Sequence, residues 1–228
     1  MDVVRTVADV LTEMRAIDAS LSDEDGLKWF NFLYLNVTES VAAETAGWQD
    51  RPFLERFDVA FADLYFKAIA AWQTDPALTP HAWRPLLRAR HDTRLSRMQF
   101  ALAGMNAHIN RDLPVALNQL AEPDGAFPAR AGARHADFLR VNGVLEATEA
   151  AVRTTLATGL VADLDRALGD FDSLLAMWKV REARNAAWTN GEVLWQLRSV
   201  PALRDDYLAK LDQMTGFAGR GLLAPHLA

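Results

Sequence analysis

Four polar side chains crowd one short stretch of this chain: Asn106, His108, Asn110 and Asp112 in GMNAHINRDLP. His108 and Asp112 stand four residues apart, so on a helix they share a face. A carboxylate one turn from an imidazole can fix the ring, and an imidazole exchanges protons near neutral pH. The same two residue types also suit a mixed nitrogen and oxygen metal site. Two chemistries follow. In one, His108 transfers a proton while Asp112 orients it, and the reaction is an isomerisation or cyclisation. In the other, a divalent metal (Zn, Fe or Mn) held by such mixed ligands activates water for hydrolysis.

Other segments offer partners. The row Leu54, Asp58, Phe61, Tyr65, Ala68, Trp72 is apolar except for Asp58. A desolvated carboxyl there would have a raised pKa and serve as a second acid. Asn106 continues the row Leu102, Asn106, Ile109, Leu113, and Asn142 lies between Phe138 and Leu145 on a shorter row. Their amides can donate and accept, which suits them to orient a substrate carbonyl or hydroxyl. Near the C-terminal end, Arg184 precedes Trp188 by one turn in a segment rich in tryptophan. The expected site is a pocket lined by Asp58, Asn106, His108, Asp112, Asn142 and Arg184, with Trp188 among its aromatic walls. The plainer alternative is that each polar group is a satisfied helix-to-helix hydrogen bond.

Nearly every long segment has helical periodicity. Helices are expected over 2–16, 27–46, 51–73, 81–91, 94–121, 134–157, within 160–199 as a pair meeting near Gly169 or Asp170, and after 200. The segment 98–107 has almost no polar face, so a central helix, about 93–113, is surrounded by protein. Gly104 should admit a neighbouring helix closely, and Pro114 should end or kink the helix after Asp112. Residues 122–133, rich in Pro, Gly and Ala, read as a lid or connecting loop. The expectation is an all-α single domain over 1–228, a bundle of about eight or nine helices.

Composition narrows the function. The 228 residues carry 24 basic and 30 acidic side chains, a formal charge of −6. That balance argues against a nucleic-acid partner and a polybasic membrane surface. No cysteine is present, which removes disulfides, thiolate nucleophiles and iron–sulfur clusters. No run approaches the ~18 apolar residues of a membrane span. Asp2, Arg5, Asp9 and Glu13 interrupt the N-terminus, unlike a signal-peptide core. A cytoplasmic protein with a small-molecule ligand or substrate is expected, without membrane insertion.

At GLKWFNFLYLNVTESVA, FDVAFADLYFKAIAAW, AWRPLL, QFALAGMNAHINRDLPVAL, DFLRVNGVLE and GFAGRGLL the chain resembles a bacterial family catalogued only as a domain of unknown function. That resemblance covers nearly the whole chain and implies an all-helical fold. LAGMNAHINRDLP is also similar to a helix of zinc-dependent phospholipase C, where a His-x-x-x-Asp pair binds metal and a proline follows. This second resemblance implies His108 and Asp112 as ligands, with Asp58 an acidic ligand from a preceding helix. The chain departs from that pattern at Ala116, two past Pro114, and at Leu139, four past His135. It has five histidines, so at most one divalent metal is implied, not three, on His108, Asp112 and a third group such as Asp58 or His91.

Overall fold

The structure, a computed structural model, describes residues 4–157 and 179–224. The expected junction near Gly169 or Asp170 lies outside them. The described residues are helical, without a strand: α1 (Val7–Ser20), α2 (Gly26–Ala43), α3 (Arg51–Thr74), α4 (Arg84–Ala89), α5 (Arg97–Ala107), α6 (Leu113–Asp124), α7 (Ala133–Ala157), α8 (Val180–Gln196) and α9 (Pro201–Leu222). The chain is all-α, and among the described residues no helix is long and apolar enough to cross a membrane.

Local chemistry sets the helix starts. The Asp50 side chain accepts the Phe53 amide, and Pro52 occupies the first turn of α3, where its missing N–H costs nothing. Ser96 and Gln99 form a reciprocal capping box that starts α5. The buried helix therefore begins at Arg97, a turn later than expected. From Met98 to Ala107 every residue of α5 is buried. α2 packs along α5 and α7, α6 packs along α8, and α9 crosses α5.

Gly104 is where α2 meets α5 closely. A methyl group at Gly104 would overlap the Phe30 ring. The fully buried Phe30 side chain contributes roughly 1.5–3 kcal/mol of apolar burial, and glycine is what admits it.

Pro114 does not end the helix. Between α5 and α6 the backbone widens into a π-helical turn, His108–Asp112, and the Leu113 N–H donates to the His108 carbonyl five residues back. Proline lacks the N–H for the usual bond, and its ring would press on the carbonyl four residues earlier. One wider turn relieves that clash and lets the rod continue to Asp124. Gly125, with φ 70°, then stops it in the left-handed conformation. The loop is thus shorter than expected, 125–132. It is tied to α8: Phe127 meets Trp188 edge-on at 5.4 Å, and Arg130 bonds Glu192 at 2.8 and 2.6 Å.

Candidate active site

The π turn carries the polar cluster. Asp112 is fully buried and its oxygens are filled. Oδ2 accepts the Trp83 indole N–H at 2.8 Å and lies 3.1 Å from His108 Nδ1. Oδ1 accepts from Arg111 Nη1 at 2.7 Å. Burial alone would raise this carboxyl. The His108 hydrogen bond and the Arg111 charge outweigh it, and the group stays below its ordinary value.

An ionised carboxylate only accepts, so His108 must present Nδ1–H to Asp112. Burial pushes the imidazole below its ordinary value, and Asp112 only partly offsets this, so His108 is neutral at pH 7. Its Nε2 then carries a bare lone pair. That atom is buried and has no hydrogen-bond partner. Buried polar atoms without partners are uncommon in native folds and call for a reason.

His108 forms part of the wall of a pocket between α2, α3, α7 and the π turn, a narrow cavity of about 50 Å³ that opens on one side. Tyr34, Phe53, Phe57, Phe61 and Phe138 supply aromatic wall, and Val37, Val41, Val141 and Leu145 the aliphatic remainder. Besides His108 and Tyr34, the ionisable side chains Asp58, Arg134 and Arg184 reach this pocket. Asp58 and Arg134 are only partly buried. Burial pushes the Asp58 carboxyl up to about 7 against the pull of Arg184. Among the described residues nothing donates a hydrogen bond to that carboxyl. Burial likewise pushes Arg184 down to about 10, with Asp58 opposing.

The expected residues divide into three groups. Asp58, His108 and Arg184 share the pocket wall. Asp112 and Asn142 stand behind it as supports: the Asn142 amide oxygen accepts Arg184 Nε at 2.8 Å. Asn106 and Trp188 are not on the wall. The Asn106 amide donates to the Thr215 carbonyl at 2.9 Å and accepts from Asn110, which fastens α9 to α5. Trp188 packs on His135 and Phe138 at 4.5 and 4.7 Å. Asn106, Asn142 and Trp188, expected as substrate contacts, are not among the side chains lining this pocket and bond or pack against neighbouring helices instead.

The metal set of His108, Asp112 and Asp58 is corrected too. Asp112 turns to Trp83 and to the Arg111 cation, so both its oxygens already accept hydrogen bonds and a cation stands where a metal would have to approach. His91 is exposed. Among the described residues no three His, Asp or Glu side chains form a ligating group.

Sequence reasoning missed Tyr34, Trp83 and Arg134. Arg111 is largely buried, with Nε 3.8 Å from Asp212 Oδ1. Ideal α spacing sends residue 111 away from residue 112, and the π turn changes that angle. Trp83 lies in a turn, where no helical row connects it to Asp112.

Neither a curated protein nor a solved structure matches the chain. A model described as a family of unknown function (DUF5995) matches residues 7–225, and the chain belongs to that family.

Proposed function

We propose that the protein is an acid–base enzyme for a small, largely apolar molecule, with His108 Nε2 as the proton acceptor and Asp58 as the proton donor. The observation that carries this is the bare, buried Nε2 on an imidazole whose other nitrogen is held by Asp112. On taking a proton, His108 becomes an imidazolium already paired with a carboxylate, which stabilises the charge where it forms. Asp58, raised to about 7, retains a large fraction of its proton at neutral pH and can return one to the substrate. Proton removal at one atom and delivery at another is an isomerisation or a cyclisation. The aromatic walls exclude water and strengthen these charge interactions.

The test is incubation with a small-molecule extract in D₂O, read by mass spectrometry. The expected result is deuterium gain or mass-neutral conversion of one or a few apolar compounds, lost in His108→Ala and reduced in Asp58→Asn. If no compound changes, or if His108→Ala changes the same compounds equally, the polar cluster is a scaffold and the enzymatic assignment falls.

A further inference from the structure

Arg184 sits in the pocket wall and is 4 % exposed. Its partners are neutral: the Asn142 amide oxygen at 2.8 Å, the Phe138 carbonyl at 2.8 Å, and the Phe138 ring, 4.2 Å below the guanidinium carbon. Among the described residues no carboxylate lies within ion-pair distance of it. Buried guanidinium groups are normally paired, because desolvating the charge is expensive. Two of its nitrogens are held by acceptors, and the ring fixes its plane. Among the described residues this is a cation held in place without a carboxylate in ion-pair contact, Asp58 acting on it only from a distance.

The surroundings narrow what that anion is. Val37, Val41, Phe57, Val141 and Leu145 make most of the adjacent wall apolar. The other cation on the wall, Arg134, is already paired with Asp50 at 2.9 Å and Asp124 at 2.6 Å. Among the described residues Arg184 is the cation on this apolar wall without an ion pair, and one such cation balances one negative charge. A phosphate monoester, with close to two charges and more acceptor oxygens, would be left under-neutralised. Asp58 on the same wall can share a proton with an incoming carboxylate, a short charge-assisted hydrogen bond that a neutral ligand would not form.

We propose that the pocket takes a monocarboxylic acid with an apolar body, its carboxylate on Arg184 and its hydrocarbon against the valines and phenylalanines. This inference rests on the pocket being a ligand site, as proposed above, and names the class of ligand.

The test is calorimetric titration of the full chain at neutral pH with octanoate, methyl octanoate and octan-1-ol. Octanoate should bind about 10-fold to 100-fold more tightly than the ester or the alcohol, as expected for a hydrogen-bonded charge pair. Arg184→Met should abolish that preference while still binding the ester. Arg184→Lys, which keeps the charge but loses the fork, should retain part of it and stands in if the methionine variant does not fold. Equal affinity of wild-type protein for acid and ester, or no octanoate binding, overturns the inference without recourse to any variant. The two proposals fail separately. Carboxylate preference without His108-dependent deuterium exchange removes the acid–base assignment alone. Exchange without carboxylate preference removes the ligand class alone.

Discussion

His108 lies flat against Phe61, with ring centroids 3.6 Å apart and planes 8° from parallel. Tyr34 meets the imidazole at 4.6 Å and Phe30 at 5.8 Å, both edge-on. The base is therefore fixed by packing on its faces and edges and by a single hydrogen bond, to Asp112. The same apolar cage lowers its proton affinity and keeps water from Nε2. Position and protonation state share two causes, the aromatic packing of α2 and α3 around the π turn and the Asp112 hydrogen bond.

Asp112→Asn should disturb both. An amide cannot offer two acceptor oxygens to Trp83, Arg111 and His108 at once, and it leaves the largely buried Arg111 with Asp212, 3.8 Å away, as its remaining charge partner. Breaking a buried ion pair outright costs about 3–5 kcal/mol. With Asp212 still beside Arg111, urea unfolding should show a smaller fall, about 1–3 kcal/mol. Imidazole ¹⁵N spectra of the wild type should show Nδ1 protonated and Nε2 bare, and the variant should show mixed tautomers. An unchanged tautomer would mean that packing alone, not Asp112, sets the proton.

Asp58 should make stability fall as pH rises. Its folded pKa, about 7, lies above the ordinary carboxyl value of about 3.9. Between those two values the folded state binds more protons than the unfolded one. The stabilising contribution of this group is thus full below about pH 4 and is lost as pH rises to about 7. Asp58→Asn should remove the slope and be the more stable protein above about pH 7. The gain is at most about 4 kcal/mol, and smaller to the extent that pocket water screens the carboxylate. His108 has the opposite sign: its lowered value makes stability fall as pH drops below about 6.5. The difference between wild-type and Asp58→Asn unfolding curves isolates Asp58. A difference that does not grow from pH 4 to 7 would show that the carboxyl titrates normally.

The helices, the buried α5 and the close approach at Gly104 were legible because each leaves a local mark: apolar periodicity, or a glycine amid apolar residues. Asp58 and His108 were legible as polar breaks in apolar rows. The support of Asp112 was not. His-x-x-x-Asp has the same spacing whether the pair binds a metal or each other. What decides is the approach of Trp83 from a distant turn and of Arg111 through the widened π turn. Pro114 marked a disturbance without saying whether it was a break, a kink or a π turn. Asn142 lay on a short row and looked the weaker candidate for burial, yet it is 6 % exposed because Arg184 of α8 covers it. Such pairings across helices carry no signature within either helix.

Divalent metal should leave the protein unaffected. Both oxygens of Asp112 already accept hydrogen bonds, one of them from the Arg111 cation, and among the described residues no third His, Asp or Glu joins His108 and Asp112. Zinc or manganese added in modest excess should not change Tm in a thermal scan. A rise in Tm that disappears in His108→Ala would restore a mononuclear metal site and with it a hydrolytic reaction.

Gly104→Ala should reverse the usual rule for helices. Replacing glycine by alanine inside a helix ordinarily stabilises by about 0.5–1 kcal/mol. At Gly104 the new methyl group would overlap Phe30, and Phe30 is wedged against Tyr34, Tyr65, Trp83 and His108. Tightly packed rings cannot yield independently, so overpacking should cost about 1–3 kcal/mol beyond the propensity gain. Gly143→Ala is the control. Gly143 lies on an exposed face of α7, where a methyl group would meet nothing within 4 Å, so it should gain the ordinary increment. Urea denaturation of the two variants should shift the midpoint in opposite directions. Because Phe30 touches the imidazole, Gly104→Ala should also move the His108 ¹⁵N resonances. Stabilisation of both variants alike would mean that α2 can withdraw from α5 freely, and that the cage around His108 is looser than its packing implies.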